Sequence, residues 1–168
     1  SAANWGAYEG SNGGLKNYSE VELSVTSGSR SMGAPISGTG TLTKTGAGTA
    51  AHTGSTTHSG GTTVQEGILS LGNGTNSTNL DDAAPVAVAS GAKIDLNFTG
   101  TDAIGSLSLG GPSAGSGIFN ATTHPTWFTG AGSLLVILPG NGIWASSANG
   151  DWETFANWQS NTVASGED

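Results

Sequence analysis

The chain has 168 residues, 29 of them glycine, with 10% charged and a formal net charge of −8. Such a length holds one domain with its own core, and little charge beside a steady supply of Val, Ile and Leu is not the signature of disorder. Lys16, Arg30, Lys44 and Lys93 are the only cations. This argues against nucleic acid or an anionic membrane surface as partner, since phosphate neutralisation needs clustered Lys and Arg.

There is no cysteine, hence no disulfide framework and no thiolate chemistry. The longest apolar run is Leu134 to Leu138, too short to span a bilayer. The chain opens Ser1-Ala2-Ala3 without a methionine, as does a chain whose secretory leader has been removed. A secreted, extracellular or cell-surface location is the expectation.

In chain order, residues 1–20 form an N-terminal segment that is Gly- and Asn-rich and unpatterned before Val21. It is a candidate for a strand exchanged between subunits. Residues 21–140 then show period-2 alternation in short runs. Val21, Leu23 and Val25 alternate with Glu22 and Ser24. Leu69 and Leu71 flank Ser70, and Val86 and Val88 flank Ala87. Ile94, Leu96 and Phe98 alternate with Asp95 and Asn97, and Leu107 and Leu109 flank Ser108. Gly, Asn or Ser punctuates each run, which predicts many short strands and an all-β fold.

A glycine precedes several runs, at Gly40, Gly67, Gly91, Gly105 and Gly132. Leu42 to Leu69, Leu69 to Leu96 and Leu109 to Val136 are each 27 residues apart. Such a period suggests a stacked solenoid. A β-sandwich is the alternative, but it has no reason to reuse one Gly-x-Leu start. A parallel β-helix (β-solenoid) also explains the composition. Glycine supplies positive φ at corners, Thr and Ser suit exposed strand faces, and Leu, Ile and Val fill a narrow core. The stretch 38–72 reads as two or three coils of wall.

That stretch resembles the autotransporter-associated β-strand repeat of bacterial surface and extracellular proteins. Gly38, Gly40, Leu42, Lys44, Gly46, Gly48 and Thr49 match the first half of the pattern. Gly60, Gly61, Thr62, Val64, Gly67, Leu69, Leu71 and Gly72 match the second. It departs at Ala50-Ala51-His52, where the family has a Leu-rich strand, and at His58, where it has tyrosine. With the looser segments Val86–Leu109 and Phe128–Leu138, the resemblance covers most of residues 36–140. It implies a right-handed parallel β-helix outside the cell with structural or adhesive roles, and it carries no catalytic residues.

Residues 141–168 are a Trp-rich junction segment of different texture. Trp144, Trp152 and Trp158 fall close together around Asn149-Gly150-Asp151, which is turn chemistry. The segment resembles the start of another module, and Ala156-Asn157-Trp158 echoes Ala3-Asn4-Trp5. Neither terminus shows an amphipathic helix that could cap an open sheet edge. A head-to-tail contact that does not close on itself makes a filament.

The function expected is therefore a structural subunit of a secreted homopolymeric filament. It would assemble head-to-tail through the solenoid ends, with strand exchange. Trp5, Tyr8, Trp144, Trp152, Phe155 and Trp158 are the candidate interface. The alternative is a module or fragment of a larger bacterial surface adhesin or autotransporter passenger, with the tryptophans stacking on glycans. Clustering of the tryptophans at the termini favours junctions.

Little else points to chemistry. His52, His58 and His124 lack metal-ligand spacing and read as exposed loop histidines. Asp81-Asp82 has oxygen ligands for Ca²⁺ but no accompanying nonapeptide repeat. Polysaccharide lyases on this fold use carboxylates, Ca²⁺ and a basic residue, and four scattered cations do not supply a basic cluster. No enzyme activity, metal or cofactor is expected. Trp127-Phe128 reads as core or as a loop plug. Five N-x-S/T sequons occur, at Asn17, Asn73, Asn76, Asn97 and Asn120, with Asn97 expected to be the least accessible.

Overall fold

A computed structural model describes residues 14–75 and 80–137. They form strands joined by turns and contain no helix. The first coil runs through β1 (Leu15–Asn17), β2 (Glu20–Ser24) and β3 (Ser29–Met32). The second uses β4 (Ile36–Gly38), β5 (Thr41–Thr45) and β6 (Thr49–His52), and the third β7 (Thr56–His58), β8 (Thr62–Val64) and β9 (Ile68–Leu71). After a longer excursion come β10 (Pro85–Val88), β11 (Lys93–Leu96) and β12 (Thr101–Ile104). The last strands are β13 (Ser106–Leu109), β14 (Gly117–Asn120), β15 (Phe128–Gly130) and β16 (Ser133–Val136).

Strands one coil apart stack in parallel, which makes a parallel β-helix and excludes the sandwich. Two five-stranded walls run β2-β5-β8-β10-β13 and β3-β6-β9-β11-β15, and a third side holds β1-β4-β7 and then β12-β16-β14. The register defines the coil. Val21 pairs with Leu42 and Leu42 with Thr62, so one coil takes about 20 residues. The 27-residue spacing is therefore not the coil period. Leu42 on β5 and Leu69 on β9 stand on different walls, one coil plus one side apart. Leu69 pairs with Ile94 and Leu71 with Leu96. The stretch 38–72 accordingly makes less than two coils.

Alternation along each strand, combined with this register, lines up inward rows. One row is Val21, Leu42, Thr62, Val86 and Leu107. Another is Ala50, Leu69, Ile94 and Phe128. All of these side chains are buried, and burying a Leu, Val, Ile or Phe stabilises by about 1.5–3 kcal/mol each. Outward rows carry small polar residues that bond across coils. Thr43 and Thr45 donate to Glu20 and Glu22 at 2.8 and 2.6 Å. Ser70 and Thr129 donate to the two carboxylate oxygens of Asp95 at 2.7 and 2.9 Å.

Corners depend on glycine where coils touch. Gly67 has φ +70°, and a Cβ there would meet the Gly46 carbonyl at 2.5 Å, so both handedness and space demand glycine. The stacked strands already include β1, ahead of Val21. Leu15 and Asn17 of β1 are buried and Lys16 is exposed, so residues 14–20 belong to the solenoid. Asn17 is wholly buried. Its side-chain amide donates to the Thr41 carbonyl at 2.7 Å and accepts from the Ser19 N–H at 3.1 Å. Among the described sequon asparagines it is therefore the inaccessible one. Asn97 lies beyond the end of β11 and is exposed, because the strand stops at Leu96.

At the later end of the solenoid two of the three sides are folded over, while β15 ends its wall with a partner on one side only among the described residues. The Gly110–Pro112 turn brings residues 112–114 beside β13. Leu109 N–H donates to the Pro112 carbonyl at 3.0 Å and Ala114 N–H to the Leu107 carbonyl at 2.8 Å. β14 pairs antiparallel with β16 and becomes the outer strand there. The cap is made of reversed chain, which no search for an amphipathic helix would find. Phe128 is core, and Trp127 packs partly buried against it.

Candidate interaction site

The N-terminal end differs from this folded-over end. β1, β2 and β3 are the edge strands of their sheets. Each has pairing partners on one side only among the described residues. Such an edge presents N–H and C=O groups that another strand can satisfy.

Between β2 and β3 lies an open cavity of about 480 Å³, within the size range of small-ligand pockets. Leu23, Val25, Met32 and Ala50 give it apolar walls, and Ser24, Ser27 and Arg30 add polar groups. Leu23 and Met32 are only half-buried, because no earlier coil covers them among the described residues. Ala50 and Ala51 add only small side chains to its lining.

Arg30 stands at the rim. It pairs in register with Ala50, so it holds the first position of a row that continues as Ala50, Leu69, Ile94 and Phe128. A charge at the inward position of an edge strand opposes indiscriminate sheet addition. Its guanidinium is exposed and donates to the Ser29 carbonyl at 3.1 Å. Among the described residues no carboxylate pairs with it. Sequence reasoning did not single out Arg30. Ser29-Arg30-Ser31-Met32 shows no clear alternation, and its inward place becomes visible only once β3 is registered on β6.

The aromatic residues singled out from the sequence, Trp5, Tyr8, Trp144, Trp152, Phe155 and Trp158, lie outside the described residues. The histidines are not all exposed. His52 and His58 are buried, because both fall on inward positions of β6 and β7. His52 Nε2 is 2.9 Å from the Ala34 carbonyl, and His58 Nε2 is 3.0 Å from that of Gly61. Their Nδ1 atoms and Thr56 Oγ1 are buried without a hydrogen-bond partner. Burial pushes the pKa of both imidazoles down; the carbonyls oppose this weakly, and for His58 nearby Asp81 opposes it too while His52 adds to it.

His124 is half-buried and stacks at a tilt on Phe119, with 4.8 Å between centroids. Among the described residues no group of three or more His, Asp or Glu is placed to hold a metal. Asp81 spends a carboxylate oxygen on the Ala83 N–H at 3.0 Å, a local turn bond. Among the described residues no helix is long and apolar enough to cross a membrane.

Among the described residues the chain is a short parallel β-helix, with reversed chain beside two of its three sides at the later end and free edges on β1, β2 and β3 at the other. In comparisons with family models, curated proteins and solved structures, nothing matches the chain.

Proposed function

We propose that this protein is the structural subunit of a secreted homopolymeric extracellular filament. Subunits add head-to-tail at the solenoid ends, with a terminal segment exchanged between neighbours. The observation that supports this reading is the N-terminal end, where β1, β2 and β3 have one free edge each among the described residues and a partly apolar cavity opens between β2 and β3. A heterologous contact of this sort propagates, because it leaves the same end free on the newly added subunit. The reversed chain over β13 and β16 blocks blunt continuation of those sheets. A donated segment is therefore the better means of joining. The outward Thr, Ser and carboxylate side chains that bond from coil to coil support a structural role.

The same free edges support a second reading, a module within a longer bacterial surface adhesin, where a preceding coil of the same chain fills the cavity. Negative-stain electron microscopy of the material as secreted, without denaturant, separates the two. Uniform fibres with an axial repeat near the length of one short β-helix support the filament. Discrete particles at high concentration overturn it in favour of the adhesin module.

A further inference from the structure

We propose that the cavity between β2 and β3 receives the acidic, aromatic segment 150–158 of a second copy of this chain. This inference rests on the filament reading and specifies its contact. The cavity asks for two things at once. Leu23, Val25, Met32 and Ala50 ask for an apolar anchor, and the Arg30 guanidinium at the rim, which pairs with no carboxylate among the described residues, asks for an anion.

Residues 138–168 carry Asp151, Glu153, Glu167 and Asp168 and no Lys or Arg. Within 150–158, Asp151 and Glu153 flank Trp152, with Phe155 and Trp158 following. The segment thus carries an indole for the cavity and, in the adjoining residues, carboxylates for the exposed Arg30 guanidinium at its rim. The competing occupant, residues 1–13, offers Trp5 and Tyr8 but only one carboxylate, Glu9. Charge complementarity therefore favours 150–158. The chain leaves β16 at the end of the solenoid away from β2 and β3.

Because the chain has no cysteine, introduced thiols report the contact cleanly. Full-length Ser27→Cys and Thr154→Cys chains are mixed and oxidised, and assembly of Arg30→Glu, Arg30→Gln and wild type is compared by sedimentation and electron microscopy. A disulfide-linked dimer in the mixture is expected. So is a critical concentration raised at least about 10-fold by Arg30→Glu and restored by adding Asp151→Lys with Glu153→Lys, as a specific charge contact requires. Circular dichroism of Arg30→Gln shows that loss of assembly is not loss of fold.

Fibres that form normally with Arg30→Glu, without the disulfide, overturn this contact and leave the filament reading standing. The mixed dimer without fibres supports the contact and overturns the filament. A disulfide formed only within a chain carrying both cysteines overturns the second-copy assignment. Preferential linkage of Ser27→Cys to Ala7→Cys instead assigns the cavity to residues 1–13 and likewise overturns it.

Discussion

The ammonium of Lys44 donates to the backbone carbonyl of Glu66 at 3.0 Å, one coil further on. It also donates to the carbonyls of Thr45 and Gly46 at 2.8 and 2.6 Å. Lys44 sits on an inward row between Leu23 and Val64 and is fully buried. It runs its stem through the core and ties the corners of two coils together. Burial lowers its pKa, and Glu66 partly offsets this. Lys44→Met keeps the stem and removes all three donors. We expect a loss of about 1–3 kcal/mol, since the Gly46 and Glu66 carbonyls lose this donor while that of Thr45 keeps the Val25 N–H at 3.0 Å. A urea midpoint unchanged from wild type would show that the carbonyls find other donors.

Asn17 does similar work at the first corner, where it bonds Thr41 and Ser19. Asn17→Ala should cost about 1–2 kcal/mol through the unpaired Thr41 carbonyl and Ser19 N–H. The loss should be local. Amide exchange should quicken in β1 and β2 while β9 and β11 stay protected. Uniform loss of protection would contradict this, since it would mean that the whole solenoid opens as one unit.

His52 and His58 set a pH dependence. Their folded pKa values lie below the unfolded value of about 6.5 because burial opposes the charged form. The unfolded chain therefore takes up protons first as pH falls. The stability held above about pH 6.5 should decline from there down to the lower folded values. Melting temperature followed between about pH 7.5 and 5 should drop, and a double substitution to Gln should flatten the drop. A wild-type profile already flat across this range would show that the imidazoles are protonated without penalty.

Leu69 lies mid-wall between Ala50 and Ile94 and is fully buried. Leu69→Ala should destabilise by about 2–5 kcal/mol, the range for a large-to-small change in a core that cannot collapse. Calorimetry would measure it. Ala50→Leu, beside the cavity, has room and should cost far less.

For the proposed filament, Trp152→Ala and Trp158→Ala should raise the critical concentration by about 30-fold or more if each removes an interface anchor worth about 2 kcal/mol. Light scattering during assembly reads this directly. Variants that assemble normally but lose binding on a glycan array would instead place these residues in a carbohydrate platform.

Period-2 runs such as Ile94-Asp95-Leu96 and the punctuating glycines were enough to establish an all-β chain. The repeated Gly-x-Leu starts were enough to favour stacking over a sandwich. These signals are local, because strand alternation and turn residues act within a few positions. The coil period, the burial of His52, His58 and Lys44, the reversed chain over β13 and β16, and the inward place of Arg30 were decided only by tertiary structure. Each depends on which residue lies one coil away. That register is fixed by stacking across about 20 residues of intervening chain, and shifts of a few residues at each corner erase it from the linear spacing. A 27-residue interval could therefore look like a repeat while joining two different walls. A histidine in a Ser/Thr-rich stretch could look exposed while its side chain filled the core.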